Sequence, residues 1–97
     1  MAYSIERIYS KKVDAMAKKL KQDISIGTNL KKYRQASGMT QSDVASKLQV
    51  RGLDIHQKII SEMELGQYSI RISVLLALAD LYNVPIQKFF ENLEYYE

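Results

Sequence analysis

Apolar residues recur at steps of three and four along the whole chain, and this helical spacing constrains the fold more than any other feature. The runs are short, because Gly38, Gly52, Gly66 and the Asn83-Val84-Pro85 segment interrupt them. Glycine often follows the last turn of a helix, and proline ends or kinks one. No segment alternates as a convincing β-strand would. The pattern therefore predicts an all-α protein made of short helices.

One long helix and five short ones are expected. The long helix covers residues 4–24, with Ser4 as its N-cap and most of its lysines opposite an apolar stripe. That stripe consists of Ile5, Ile8, Tyr9, Val13, Met16, Leu20 and Ile24. The short helices cover residues 30–38, 41–48, 57–65, 72–82 and 86–93. Thr40 and Asp43 form a capping box before the second short helix, and Asp54 or His56 is expected to cap the third.

Composition limits the classes of function. The 97 residues suit one compact domain, residues 25–97, behind an N-terminal extension, residues 1–24. The absence of cysteine excludes disulfides and thiolate metal sites, and His56 is the single histidine. We therefore expect no cofactor, no metal and no enzyme activity. With no long apolar run and no secretion signal in MAYSIERIYSKK, we expect a cytoplasmic protein without a membrane partner.

Charge is unevenly distributed along the chain. Residues 1–24 carry a net charge of +3, residues 25–61 carry six basic and two acidic side chains, and residues 62–97 carry two basic and six acidic ones. Clustered basic residues are typical of proteins that meet phosphate groups. The middle of the chain is therefore the first candidate for a nucleic-acid contact.

Residues 27–93 resemble the Cro/phage-repressor type of helix-turn-helix domain, also called the xenobiotic-response-element type. The resemblance rests on the order and spacing of seven short motifs: Gly27-x-x-Leu30, Tyr33-Arg34, Gly38-Met39-Thr40-Gln41, Val44-Ala45-x-x-Leu48, Ile60-Ser61-x-Met63-Glu64-x-Gly66, Leu75-x-x-Leu78-Ala79 and Val84-Pro85. It implies a five-helix, lambda-repressor-like domain in which residues 41–48 and 57–64 are the helix-turn-helix pair. The extra N-terminal helix precedes this domain.

The resemblance implies a sequence-specific regulator of transcription, repressor-like and of bacterial or phage type, that binds double-stranded DNA as a homodimer. Its recognition helix, about residues 57–65, would enter the major groove. The implied base-facing residues are Gln57, Lys58, Ile59, Ser61 and Glu62. The implied contacts to the DNA backbone or the edge of the site are Thr40, Gln41, Arg51, Gln67, Tyr68, Ser69 and Arg71. Arg34 and Glu64 match a pair that ties the first helix of the domain to the recognition helix.

Two features depart from the family pattern. The connection between Leu48 and Gln57 has eight residues, whereas the family's turn has three or four, and we expect it to bulge outward near the DNA backbone. Arg51 would then lie within reach of a phosphate. Glu62 puts a negative charge on the reading face, where it is suited to accept a hydrogen bond from cytosine N4.

Alternatives remain open at this stage. The chain also fits the DNA-binding antitoxin half of a toxin–antitoxin pair, whose main partner would be another protein. The N-terminal helix has three possible roles: packing on the five-helix body, pairing with another chain, or lying on a membrane or on DNA phosphates. A protein partner would bind through this helix or through the acidic C-terminal tail.

Overall fold

The computed structural model describes the backbone of residues 19–20 and all of residues 24–93. In this part of the chain a two-residue strand, β1 (Lys19–Leu20), precedes three helices, α1 (Gly27–Ala36), α2 (Gln41–Val50) and α3 (Gln57–Glu64). A second short strand, β2 (Ile70–Arg71), leads directly into α4 (Ile72–Leu81). The last element is a 3-10 helix, Ile86–Phe90.

The all-helical prediction is confirmed for the body of the domain, with two corrections. The fifth short helix is a single 3-10 segment rather than an α-helix, because its hydrogen bonds span three residues: the amide of Lys88 donates to Pro85. The long N-terminal helix was predicted to include Lys19 and Leu20, which instead pair antiparallel with Arg71 and Ile70. Pairing satisfies backbone groups of β2 that would otherwise lack a partner. Residues 1–18 and 21–23 of the extension lie outside the described residues.

A single core joins the elements. Its buried apolar residues are Ile26, Leu30, Val44, Ala45, Leu48, Ile55, Ile60, Met63, Ile70, Val74, Leu75, Ala77, Leu78, Ala79, Tyr82 and Phe89. Phe89 of the 3-10 helix has no exposed surface, and its ring lies about 6 Å from those of Tyr33 and Tyr82. The side-chain amide of Asn29 donates to the carbonyls of Phe89 and Glu91 at 2.9 and 2.8 Å. The end of the chain's described part is thus tied to α1.

The four α-helices end in the same way. In each, the amides of the two residues after the C-cap bond back to carbonyls of the last turn, as in a Schellman motif. The first of those residues has a positive φ in every case: Gly38, Gly52, Gly66 and Asn83. Glycine adopts this backbone without strain, and asparagine tolerates it better than most residues. The breaks that set the helix lengths in the sequence therefore have a common structural basis.

The connection between α2 and α3 differs from the prediction. Helix α2 runs two residues further than expected, so the connection has six residues, 51–56. It does not simply bulge outward, because Ile55 is 4% exposed and belongs to the core. The side-chain amide of Gln49 holds the carbonyl of Ile55 at 3.1 Å. The two helices of the pair are therefore joined by an anchored loop.

Candidate nucleic-acid interface

Helix α3 has one face in the core and one face in solvent. Ile60 and Met63 are each 1% exposed, because they pack into the groove formed by the other helices. Gln57 and Lys58, the first two residues of the helix, are exposed. The helix is only eight residues long, so it depends on these buried contacts rather than on its own stability.

The other predicted base-facing residues are less exposed. Ser61 and Glu62 are half-buried, and Ile59 is partly buried against the core cluster. Exposure therefore decreases along the predicted face, from the first two residues of α3 to Ser61 and Glu62. A surface of this kind offers amide, ammonium, hydroxyl and carboxylate groups, which together can donate and accept hydrogen bonds.

A buried ion pair fixes the C-terminal end of α3. The Nε and Nη2 atoms of Arg34 donate to the two carboxylate oxygens of Glu64 at 2.6 and 3.0 Å. The side chains are 9% and 4% exposed. Arg34 also donates to the carbonyl of Met39, and the side-chain amide of Gln41 donates to a carboxylate oxygen of Glu64 at 3.0 Å. The hydrogen bond with Glu64 raises the pKa of Arg34 above its ordinary value. We call these four residues the α3 brace.

The backbone at the start of α1 lies directly against the backbone at the C-terminal end of α3. A Cβ atom added to Gly27 would lie 2.1 Å from the carbonyl oxygen of Glu64 and 2.9 Å from that of Met63. Ser25 accepts a hydrogen bond from the amide of Gly27 and also lies against Gly66. Only a residue without a side chain fits at position 27, so the spacing between α1 and α3 is set by this contact.

Helix α2 begins with the predicted capping box. The amide of Asp43 donates to the hydroxyl of Thr40 at 3.0 Å, and the amide of Thr40 donates to the carboxylate of Asp43 at 2.9 Å. The hydrogen bond from the backbone amide of Thr40 to the Asp43 carboxylate, followed by a side-chain hydrogen bond with Thr40, lowers the pKa of Asp43. Thr40 is exposed and Gln41 is half-buried, so the cap lies at the surface beside the brace.

An open cleft of about 460 Å³ lies between the first turns of α1 and α2 and the outer side of α3. Its lining includes Thr28, Lys31, Gln41, Ser61 and Leu65. Thr28 and Lys31 are exposed and were not predicted as site residues. Their spacing of three in the sequence indicates that they share one face of α1. Their closeness to Ser61, however, depends on the packing of α1 against α3.

The segment after α3 lies at the surface in part. Gln67 is exposed, and its amide donates to the carbonyl of Glu62 at 2.9 Å. Tyr68 and Ser69 are half-buried, with Tyr68 packed against the core cluster. Arg71 is half-buried in β2 and is the N-cap residue of α4. This segment follows directly from the recognition helix predicted in the sequence.

Arg51 forms an ion pair within the domain, and the predicted side-chain cap of α3 is absent. The Nη2 atom of Arg51 is 2.7 Å from a carboxylate oxygen of Asp80 on α4. The N-cap of α3 is His56, but neither His56 nor Asp54 caps the helix with its side chain. The His56 ring instead contacts the Asp54 carboxylate at 3.1 Å. Within residues 24–93 no group of three acidic or histidine side chains could hold a metal ion.

These features define a helix-turn-helix protein: two short helices, α2 and α3, cross at a capped and anchored connection, and the second presents a polar outer face. A family model described as helix-turn-helix, of the Cro/C1 type, matches residues 30–89. The chain belongs to this helix-turn-helix family. No helix of the described residues has the length and apolar character needed to cross a membrane.

The chain is also similar to a solved structure. The crystal structure of the DNA-binding domain of BldD matches 67% of this chain and 87% of its own length, at 28% identity and a TM-score of 0.56. The comparison with curated proteins gave no significant match. The solved structure supports the order and packing of the helices described above.

Proposed function

We propose that this protein is a regulator that binds double-stranded DNA in a sequence-specific manner, acting in a repressor-like way by occupying an operator. Family membership and the likeness to a DNA-binding domain support binding to DNA. Helix α3 would be the recognition helix and would lie in the major groove. Two copies would bind half-sites about 34 Å apart, one turn of the double helix.

One observation carries the proposal: α3 is anchored on its inner side by Ile60 and Met63 and presents Gln57 and Lys58 outward at its first turn. In a helix-turn-helix protein the N-terminal part of the recognition helix meets base edges. Glutamine is suited to adenine, and lysine to guanine O6 and N7.

The remaining outer residues of α3 would complete the base contacts. Ser61 can bond with several bases, and Glu62 would accept from cytosine N4. Ile59 would pack against a thymine methyl group at the edge of the reading face. Because Glu62 repels phosphate as well, its presence makes the complex more dependent on a matching base.

Phosphate contacts would flank the reading face on both sides. One set would come from Thr40 and Gln41, together with the cleft residues Thr28 and Lys31. The other set would come from the residues that follow α3, namely Gln67, Tyr68, Ser69 and Arg71. Arg51 would reach a phosphate only by leaving Asp80, so we expect its contribution to be the smallest.

The test is a set of binding measurements on an operator selected from random sequences. Lys58→Ala and Gln57→Ala are each expected to lose about 1–3 kcal/mol of binding free energy and to relax the preference at one base pair. Lys88→Ala is the matched control, because Lys88 is an exposed lysine of the 3-10 helix that pairs with Glu91. Unchanged affinity and unchanged base preference in both α3 variants would refute the assignment of α3 as the recognition helix.

Arg71→Ala separates phosphate contact from base reading. Removing one phosphate contact should weaken binding to all sequences alike and make the slope of log K against log salt shallower by about one. A change in base preference without a change in salt dependence would argue against a phosphate contact at Arg71.

A further inference from the structure

Two large apolar side chains of α4 lie outside the core. Helix α4 was predicted to be the central core helix, and five of its residues are buried. Ile72 and Leu76, however, are 48% and 54% exposed. They lie one turn apart and therefore on the same side of the helix, with the exposed Asp80 one turn further on. Among the described residues, Arg51 at the end of α2 reaches Asp80 at the far end of this side, whereas Ile72 and Leu76 remain about half exposed.

The strand pair brings the N-terminal extension to this side of the molecule. Lys19 lies opposite Arg71 and Leu20 opposite Ile70, in antiparallel register. Because Lys19 pairs with Arg71, the residue just before α4, β1 begins at the N-terminal end of the exposed α4 side.

The sequence of that preceding chain carries an apolar stripe of its own. With Lys19 and Leu20 in a strand, the helix-spaced positions left are Ile5, Ile8, Tyr9, Val13 and Met16. They recur at steps of three and four, as one face of a helix does. A helix over residues 4–18 would be about 22 Å long, whereas the ten residues of α4 span about 15 Å. The extension is thus long enough to cover α4.

We propose that residues 4–18 form an amphipathic helix that packs, antiparallel, on Ile72 and Leu76 of α4. The antiparallel direction follows from the register of β1 and β2. The β1–β2 pair holds the segment next to its docking surface, which makes the contact intramolecular and favours it over the same contact with a second copy. The extension is then part of the domain core. This inference is independent of the proposed binding to DNA.

Hydrogen exchange of the full-length chain tests the proposal. The amides of residues 5–17 should exchange at least about tenfold more slowly in the wild-type chain than in Leu76→Asp, where a charge replaces the apolar contact. Leu65→Asp is the matched control, because Leu65 is 66% exposed at the C-cap of α3 and carries the same change of residue type. It should leave the exchange of residues 5–17 unchanged. Amides of α2 and α3 report whether each variant keeps its fold.

Three results would overturn the proposal. Residues 5–17 exchanging at the rate of an unfolded chain would show that no docked helix exists. Slow exchange that Leu76→Asp does not accelerate would place the docking surface elsewhere. Protection that rises with protein concentration, together with a dimer in sedimentation, would show that a second copy covers α4.

A crosslink gives a second readout, since the chain has no cysteine: Met16→Cys with Ile72→Cys should form a disulfide within one molecule.

Discussion

Replacing Glu64 should destabilise the protein far more than breaking a surface ion pair. The side chains of Glu64 and Arg34 are almost wholly buried and are joined by two hydrogen bonds. In Glu64→Leu the guanidinium would stay buried without its counter-charge, and in Arg34→Leu the carboxylate would. Each change is expected to lower the free energy of unfolding by about 3–5 kcal/mol, the usual cost of an unpaired buried charge.

The double variant Arg34→Leu/Glu64→Leu should be more stable than either single variant. With both charges gone, the remaining losses are the donor to the carbonyl of Met39 and the acceptor for the side-chain amide of Gln41. Each is worth about 1 kcal/mol, so we expect a total loss of about 2 kcal/mol instead of the sum of about 6–10 kcal/mol. The difference is the coupling energy of the pair.

Urea denaturation of the four proteins measures this cycle, and Arg51→Leu is its control. Arg51 also forms an ion pair, with Asp80, but those side chains are 39% and 68% exposed. Its loss should cost under about 1 kcal/mol and disappear in about 1 M salt, whereas the coupling of the buried pair should persist. Additive single variants, or a cost for Glu64→Leu below about 1 kcal/mol, would refute the brace as a stabilising element.

Further predictions concern glycine, the α2–α3 loop and acid pH. Gly27→Ala should cost about 1–3 kcal/mol in stability and also reduce operator binding, because the new Cβ would push α1 away from the backbone of Glu64. Gly38→Ala is its control: Gly38 has a φ of +72° and open space around it, so the change should cost about 1–2 kcal/mol in stability and leave binding intact. Ile55→Ala should cost about 2–4 kcal/mol by urea denaturation, since Ile55 anchors the loop in the core; a loss under about 0.5 kcal/mol would contradict that anchor. The pKa of Asp43 is lowered by folding, so the contribution of its carboxylate to stability is present at neutral pH and is lost as the pH falls below about 4. Asp43→Asn should therefore flatten the decline of the melting temperature in acid. An unchanged decline would contradict this prediction.

The sequence predicted those features that depend on local chemistry. The capping box of Thr40 and Asp43 was readable because both residues act within one turn, and the helix ends at Gly38 and Gly66 because glycine is suited to positive φ. The loop around Ile55 was misjudged, since only the packed core shows which of the apolar residues in this connection is its buried anchor.

Long-range pairing was the second limit. Lys19 and Leu20 continue a helical stripe in the sequence, and nothing local to them indicates that residues 70 and 71 offer a strand partner. For the same reason the closeness of Lys31 to Ser61 across the cleft could not be predicted from either helix alone. Residue types at a site can be inferred from sequence more readily than the elements that meet there.

Helix α3 gains its order from the domain around it, and this bears on how the protein would read DNA. Eight residues are too few for a stable isolated helix. Its N-terminal turn is exposed, whereas its C-terminal end is held by Glu64 in the brace and by the backbone contact with Gly27. A helix fixed at one end and along its inner side keeps a single orientation, so its first turn can contact base edges without a further loss of conformational entropy on binding. Loss of the brace should therefore weaken operator binding even though Glu64 faces inward, away from the predicted reading face.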